Sequence, residues 1–228
     1  MSLDEFNKLA SSKLNIPVNI KKPITIKNSY KLCHFKPAYG LIFEDCLKNY
    51  DLWGHGDIDV IYGNIRKFVT DYVLQHDLIS FSSHGITGHF ALYKNCPRMN
   101  KKFTKINNWQ NKMMGTSYKN LDEVEMYKVV NKNTGYFKES YSTPCSVCPW
   151  KDGTFNFPTE WYWNKGKLTN NKDDSEYPYF HFMIWKGCRW SKNKNTWNQL
   201  DKSKKIVHFD FKKPISGFKI TKEGFFKI

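Results

Sequence analysis

The chain has 228 residues, enough for one large domain or two small ones, and its 40% hydrophobic and 17% aromatic content excludes a disordered protein. The net charge of +15 attracts polyanions, but only three of the 36 basic residues are arginines, which argues against sequence-specific DNA recognition. No stretch approaches the roughly 20 apolar residues that cross a bilayer, and we see no secretory signal, so we expect a cytoplasmic protein without a transmembrane segment.

The six cysteines do not have the density of a disulfide scaffold, so we expect reduced thiols. Cys145 and Cys148 have the spacing of half a zinc site. No second Cys-x-x-Cys pair accompanies them, which favours a loop with two ordinary thiols over a zinc site.

The first half of the chain alternates between helical and extended patterns. Ser2 and Glu5 fit a capping box, which with apolar residues at helical spacing predicts a helix from Leu3 to about Leu14. Pro37 suits the first turn of a second helix that ends near Tyr50. The segments that follow are, in chain order, short strands at 51–54 and 60–62, helical turns at 64–69 and 71–74, strands at 78–81 and 89–93, and helices at 97–106 and 121–130.

The second half, from Asn131 onward, is aromatic and rich in turns. We predict a hairpin at 160–168, a strong strand at 179–185 and edge strands at 207–211 and 215–220. The whole pattern predicts an α/β fold in a single domain, 1–228. Residues 1–130 are expected to form a sheet layered with helices, and residues 131–228 a β-rich, aromatic part of the same domain.

Two carboxylates, Asp57 and Asp59, stand one residue apart between apolar segments. In an extended chain they point to the same face, where they can share one cation. Mg²⁺ or Mn²⁺ held by one or two carboxylates and by phosphate oxygens is the arrangement that neutralises a leaving diphosphate. The alternative is a turn in which Asp and Gly residues serve turn chemistry alone, and the local pattern leaves both interpretations open.

His181 lies in an aromatic strand, where a buried polar ring requires a polar partner. It is either a third ligand of the metal or a core histidine that bonds to a backbone carbonyl. Lys186 follows the end of this strand and can reach a phosphate, unless it is one more solvated lysine.

A series of motifs in a distinctive order extends over most of the chain. They are Lys36-Pro37-Ala38-Tyr39-Gly40, Phe43-Glu44-Asp45, Tyr50 to His55, Asp57 to Gly63, Ile65 to Phe68, His89 to Asn95, Leu121-Asp122-Glu123 and Tyr179 to Phe182. From about Leu3 to about Trp185 the chain thereby resembles a family of glycosyltransferases found in bacterial surface-polysaccharide loci and in some large viruses.

The resemblance implies a GT-A-like, Rossmann-like mixed sheet flanked by helices. A GT-A domain begins with a βαβ unit that holds the nucleotide base, and we expect this chain to lack that first unit. The implied reaction moves a sugar from a nucleotide-diphosphate sugar to a glycan or other hydroxyl acceptor. The implied location is the cytoplasm of a bacterium or of a virus-infected host cell.

The resemblance also assigns roles to individual residues. Asp57, Asp59 and His181 become ligands of Mn²⁺ or Mg²⁺. Asp122 or Glu123 becomes the catalytic base or acceptor-binding carboxylate, the alternative being a solvated helix face. Further candidates for contact with the nucleotide are Lys36 and Tyr39, whose alternative roles are helix capping and core packing, and Lys186.

Two other functions compete with an active transferase. The first is a catalytically degenerate transferase that survives as a binding protein, in keeping with the expected loss of the first βαβ unit. The second is a basic nucleic-acid-binding protein, in which Trp161, Tyr162 and Trp163 stack on bases. The scarcity of arginine makes nucleic acid the less favoured partner.

Overall fold

The computed structural model describes residues 1–16, 29–81, 85–115, 119–130, 136–138, 160–173, 175–181, 216–221 and 224–228. Contacts divide the chain into two units. The first comprises Met1–Asp57 and Tyr72–Glu139, and the second comprises Ile58–Asp71 and Ser140–Ile228. Within the described part of the chain, no helix has both the length and the apolar character needed to span a membrane.

The described residues form eight α-helices, most of them a single turn. These are α1 (Leu3–Leu14), α2 (Tyr39–Ile42), α3 (Glu44–Leu47), α4 (Ile65–Phe68), α5 (Asp71–Leu74), α6 (Pro97–Asn100), α7 (Trp109–Met114) and α8 (Met126–Val129). Two 3₁₀ helices, Ser29–Ala38 and Lys102–Lys105, and one π-helical turn, Leu121–Glu125, complete the helical segments.

Ten strands are described. They are β1 (Leu52–Gly56), β2 (Val60–Tyr62), β3 (Leu78–Ser80), β4 (Phe90–Lys94), β5 (Tyr136–Lys138), β6 (Glu160–Asn164), β7 (Lys167–Asn170), β8 (Tyr179–His181), β9 (Gly217–Thr221) and β10 (Gly224–Lys227). The protein is therefore a mixed α/β protein whose strands pair mainly in the antiparallel sense.

The first unit contains a four-stranded sheet with the order β1-β4-β3-β5. Its pairs are antiparallel except β3–β5, which is parallel. One apolar core joins the sheet to the helices, because residues from α1, the 3₁₀ helix Ser29–Ala38 and strands β1, β3 and β4 are buried together. Trp53 and Tyr93 stack across β1 and β4 at the centre of this core, with ring centroids 4.4 Å apart.

The second unit contains an antiparallel sheet with the order β10-β9-β6-β7 and the separate pair β2–β8. Among the described residues, its core cluster consists of Trp161, Leu168, Phe180, Phe218 and Ile220. The ring of Trp161 stacks on that of Phe180 at 4.5 Å, which ties β6 to β8. Trp161 is 1% exposed and is thus unavailable for the base stacking that the nucleic-acid hypothesis assigned to it.

Several predicted elements are confirmed. The first helix spans Leu3–Leu14, and its capping box is complete, since Ser2 and Glu5 bond to each other's backbone N–H groups. The hairpin forms from β6 and β7, with Lys165 and Gly166 at its turn in the left-handed region. Of the six cysteines, Cys33, Cys46 and Cys96 are free thiols, as expected, and Cys145, Cys148 and Cys188 lie outside the described residues.

Three predictions are wrong in detail. Pro37 lies inside a 3₁₀ helix rather than in the first turn of a long α-helix, and two short helices, α2 and α3, replace the predicted one. The segment 215–220 was expected at a sheet edge, but β9 lies between β10 and β6. Both of its edges are therefore paired, and four of its five residues are buried.

Candidate metal-binding site

Asp57, Ile58 and Asp59 form a turn, which we name the acidic turn. Strand β1 ends at Gly56, opposite Phe90, and the N–H of Asp57 then donates to the carbonyl oxygen of His89 at 3.0 Å. The predicted extended geometry is therefore wrong, because the chain bends before β2 begins. The side chain of Ile58 is directed outward, at 98% exposure, whereas Asp59 is 8% exposed.

Asp59 lies against His181 because of the strand register in the second unit. Val60, the residue after Asp59, is the partner of His181 in the antiparallel pair β2–β8. Oδ1 of Asp59 is consequently 3.4 Å from Nε2 of His181, and both side chains are largely buried. A buried carboxylate is stabilised by such a partner, and the imidazole is held in a fixed orientation.

Asp57 and Asp59 are separated by only one residue in the acidic turn. Asp57, Asp59 and His181 each offer one possible ligand atom, and these atoms lie within 4.8 Å of one another. The sequence selected the same three residues as candidate ligands. Two carboxylates and one imidazole are a donor set that fits a divalent cation such as Mn²⁺.

Lys36 is a buried cation of the first unit that contacts two carboxylates and a backbone carbonyl. Its side chain is 7% exposed and comes from the 3₁₀ helix Ser29–Ala38. Nζ donates to Oδ1 of Asp57 at 2.5 Å and to the carbonyl oxygen of Gly88 at 2.8 Å, and lies 3.7 Å from Oδ2 of Asp122. Burial alone lowers the pKa of this lysine, but the Asp57 and Asp122 carboxylates outweigh it and raise the pKa above its ordinary value. The side chain is thus a fixed positive charge.

Asp122 and Glu123 stand at the start of the π-helical turn and face Gly88. Asp122 is 2% exposed, which contradicts the interpretation of this pair as a solvated helix face. Burial raises the pKa of Asp122 to about 7, although Lys36 acts in the opposite direction. Its Oδ1 has no hydrogen-bond partner among the described residues. Oε1 of Glu123 accepts from the N–H of Gly88 at 2.9 Å.

Gly88 allows this close approach because it has no side chain. A Cβ on Gly88 would lie 2.6 Å from Oδ2 of Asp122 and 3.0 Å from Oε1 of Glu123. Its peptide group is held on both sides, by Lys36 at the carbonyl and by Glu123 at the N–H. We name Lys36, Asp57, Gly88, Asp122 and Glu123 the lysine cluster. Nothing local in the sequence predicts this contact of Gly88.

Tyr39 and Lys186 are the other two residues predicted to contact the nucleotide. Tyr39 packs edge-on against Phe6 and Phe43, with ring centroids 6.4 and 5.4 Å away, so its surroundings match the core-packing alternative. Burial raises the pKa of its phenol to about 12. Lys186 lies outside the described residues.

His55 is a buried residue that the sequence did not single out. It lies on β1, directed to the interior, with its ring 5.8 Å from that of Tyr93. Burial, assisted by the positive charge of Lys36, lowers its pKa to about 3, so the ring is neutral. Although the carbonyl of Gly88 is near enough to act on the pKa of this ring, neither ring nitrogen makes a hydrogen bond of normal geometry within the described residues.

Comparison with known proteins gives one match. The model of a family of unknown function, DUF6625, matches residues 1–227, and the chain therefore belongs to this family. No curated protein and no solved structure matches the chain.

Proposed function

We propose that this member of the DUF6625 family is a metal-dependent glycosyltransferase that moves a sugar from a nucleotide-diphosphate sugar to a hydroxyl of a glycan or other acceptor. The observation that carries the proposal is the convergence of Asp57, Asp59 and His181, whose candidate ligand atoms lie within 4.8 Å. The resemblance of the acidic turn and of the motifs around it to glycosyltransferases supports the same reaction.

The residues fit a hard divalent cation. Carboxylates suit Mn²⁺ and Mg²⁺, and an imidazole nitrogen is more readily accepted by Mn²⁺, so Mn²⁺ is the preferred ion. When bound, such an ion would neutralise charge on the departing nucleoside diphosphate. The partial burial of Asp59 and His181 keeps bulk water from competing for their ligand atoms.

Asp122 is the preferred catalytic base. Glu123 is already used, since its carboxylate accepts from the N–H of Gly88, whereas Oδ1 of Asp122 has no bond of this kind among the described residues. A carboxyl with a pKa of about 7 exists in both protonation states near neutral pH, which suits an acid–base role. In an inverting reaction, Asp122 would take the proton of the acceptor hydroxyl as that oxygen attacks the sugar.

The proposal includes a GT-A-like core. Its support in the structure is the mixed sheet β1-β4-β3-β5, which contains a parallel pair and packs against helices. The acidic turn directly follows β1 of this sheet, which places it at a strand end, where ligand-binding residues commonly lie in α/β proteins.

A thermal-shift experiment tests the metal and donor. The purified protein is heated with Mn²⁺ alone, with each of a panel of nucleotide-diphosphate sugars alone, and with both. We expect one nucleotide class to raise the melting temperature only when Mn²⁺ is present, because ligands that bind the folded state stabilise it.

The matched variants are Asp57→Asn and Asp59→Asn, with Asp51→Asn as the control. Asp51 is an exposed acidic residue immediately before β1. We expect the first two variants to lose the metal-dependent shift and the control to retain it. Retention of the full shift by both Asp57→Asn and Asp59→Asn would rule out the site.

The burial of Asp122 favours a second candidate, a transferase-like protein that binds a nucleotide sugar without turning it over. A base at 2% exposure is poorly accessible to an acceptor. Release of nucleoside diphosphate in the presence of Mn²⁺ distinguishes the two. Turnover identifies the enzyme, whereas a thermal shift with no release over many hours identifies the binding protein.

A further inference from the structure

We propose that Lys36 is an internal cation that competes with the divalent metal ion for Asp57, and that metal binding transfers its ammonium group from Asp57 to Asp122. This inference rests on the metal site of the proposed function and adds a residue that sets the affinity of that site. Lys36 is a positioning residue in this role, since it acts through the two carboxylates.

The geometry supports two positions for the ammonium group. Nζ of Lys36 lies 2.5 Å from Oδ1 of Asp57 and 3.7 Å from Oδ2 of Asp122. The first distance is that of a short charge-assisted hydrogen bond, and the second is that of an ion pair without a hydrogen bond. A movement of about 1 Å exchanges these two relationships. The bond to the carbonyl oxygen of Gly88, at 2.8 Å, can serve as the pivot, because it involves neither carboxylate.

The charges favour the same exchange. With its ammonium on Asp57, Lys36 neutralises a carboxylate that the metal ion needs, and it places a positive charge close to an incoming dication. Both effects weaken metal binding, and water screens them only in part because the side chain of Lys36 is 7% exposed. Once the metal ion holds Asp57, the buried ammonium still has the Asp122 carboxylate as a partner, so it is not left unpaired.

Asp57 is the only one of the two carboxylates that solvent reaches readily. Its side chain is 34% exposed, compared with 3% for Asp122. A cation arriving from solution therefore meets Asp57, whereas Asp122 is accessible to Lys36 from within. Because of this difference in exposure, the metal ion binds Asp57 and the ammonium group of Lys36 moves to Asp122, rather than the reverse.

The test measures binding of Mn²⁺ alone, with no nucleotide, from the electron paramagnetic resonance signal of the free ion. Lys36→Met removes the charge and keeps a flexible side chain of similar length. Lys94→Met is the control, because it removes the same charge from an exposed position on β4. We expect Lys36→Met to bind Mn²⁺ about tenfold more tightly than the wild type or better, and Lys94→Met to change the affinity less than about twofold.

Asp122→Asn provides the opposite change. Without a carboxylate at position 122, Lys36 has no second partner and stays on Asp57, so we expect Mn²⁺ binding to weaken by about threefold or more. Circular dichroism of each variant checks that it is folded. If Lys36→Met does not fold, the double variant Lys36→Met/Asp122→Asn removes both buried charges, and it should bind Mn²⁺ about tenfold more tightly than Asp122→Asn alone.

The outcomes separate this inference from the proposed function. Wild-type binding of Mn²⁺ with unchanged or weaker binding by folded Lys36→Met overturns the competition and leaves the metal site intact. Absence of Mn²⁺ binding in the wild type and in every Lys36 variant overturns both. Tight binding by Lys36→Met when the wild type binds weakly or not at all supports the competition.

Discussion

Oδ1 of Asp59 lies 3.4 Å from Nε2 of His181, although 121 intervening residues separate them in the sequence. Strands β2 and β8 create this contact, because Val60 and His181 are directly paired. Any change that shifts the register of β8 by one residue would turn His181 to the other face of the strand pair. The candidate metal site therefore depends on correct pairing in the second unit as much as on the acidic turn.

Replacement of His181 should weaken metal binding without unfolding the protein. We expect His181→Ala to reduce Mn²⁺ affinity about tenfold or more, because one of three candidate ligands is lost. The measurement is the Mn²⁺ titration described for Lys36. His76→Ala is the control, since His76 follows α5 and its ring bonds to the backbone carbonyls of Tyr72 and Val73. Equal affinities of His181→Ala and the wild type would exclude His181 as a ligand.

Asp122 should make the stability of the protein depend on pH. Its pKa rises from 3.8 to about 7 on folding, because burial disfavours the charged form. Between those pH values the folded state holds a proton that the unfolded state has lost. Stability from this group is therefore fully present below about pH 4 and is lost as the pH rises to about 7, by roughly 4 kcal/mol.

In the Asp122→Asn variant the side chain at position 122 is neutral at every pH. This variant should therefore not show the loss of stability that ionisation of Asp122 causes. Urea unfolding of both proteins at several pH values between 4 and 7.5 gives the difference in free energy of unfolding, in which the other titrating groups largely cancel. We expect the wild type to lose stability relative to Asp122→Asn as the pH rises. A difference that does not vary with pH would show that Asp122 ionises at its ordinary pKa.

A side chain at position 88 should disrupt the lysine cluster. The Cβ of Gly88→Ala would be 2.6 Å from Oδ2 of Asp122, so the buried carboxylate or the loop must shift. We expect a loss of about 1–3 kcal/mol in the free energy of unfolding, which denaturant titration measures. Asp122→Ala removes the nearest atom, so Gly88→Ala should be less destabilising in that background. The same loss in both backgrounds would place the conflict elsewhere.

Trp161 should support the metal site from a distance. It is 1% exposed and stacks on Phe180, the residue before His181, at 4.5 Å. We expect Trp161→Ala to lower the free energy of unfolding of the second unit by about 3–5 kcal/mol and to weaken Mn²⁺ binding, because β8 loses its packing partner. Trp161→Phe keeps an aromatic ring and should change both quantities less. If Trp161→Ala is destabilised but binds Mn²⁺ as the wild type does, the packing of β8 does not control the site.

Local patterns in the sequence were sufficient where a structure depends on neighbouring residues. The capping box of Ser2 and Glu5 predicted the start of α1, since both bonds join residues three apart. The three candidate metal ligands were also named from the sequence: the spacing of Asp57 and Asp59 and the position of His181 in an aromatic strand left the role open, and the family resemblance assigned it.

The lysine cluster could not be predicted in the same way. Lys36 contacts Asp57 and Asp122, which lie 21 and 86 residues away in the sequence. The chain has 33 lysines, and no local pattern shows that this one is buried. The geometry of the acidic turn was missed for a similar reason. Where β1 ends depends on its pairing with β4, and Phe90, the partner of Gly56, lies 34 residues later in the chain.

The position of β9 has a consequence for the order in which the protein folds during synthesis. Strand β9 separates β10 from β6, so residues 217–227 provide two of the four strands in the second sheet. That sheet cannot assemble until residues 217–227 have left the ribosome. The sheet of the first unit is complete at residue 138 and can form much earlier. On the nascent chain, Lys36 would contact Asp57 before His181 has been synthesised. The first partner of the acidic turn would therefore be a lysine.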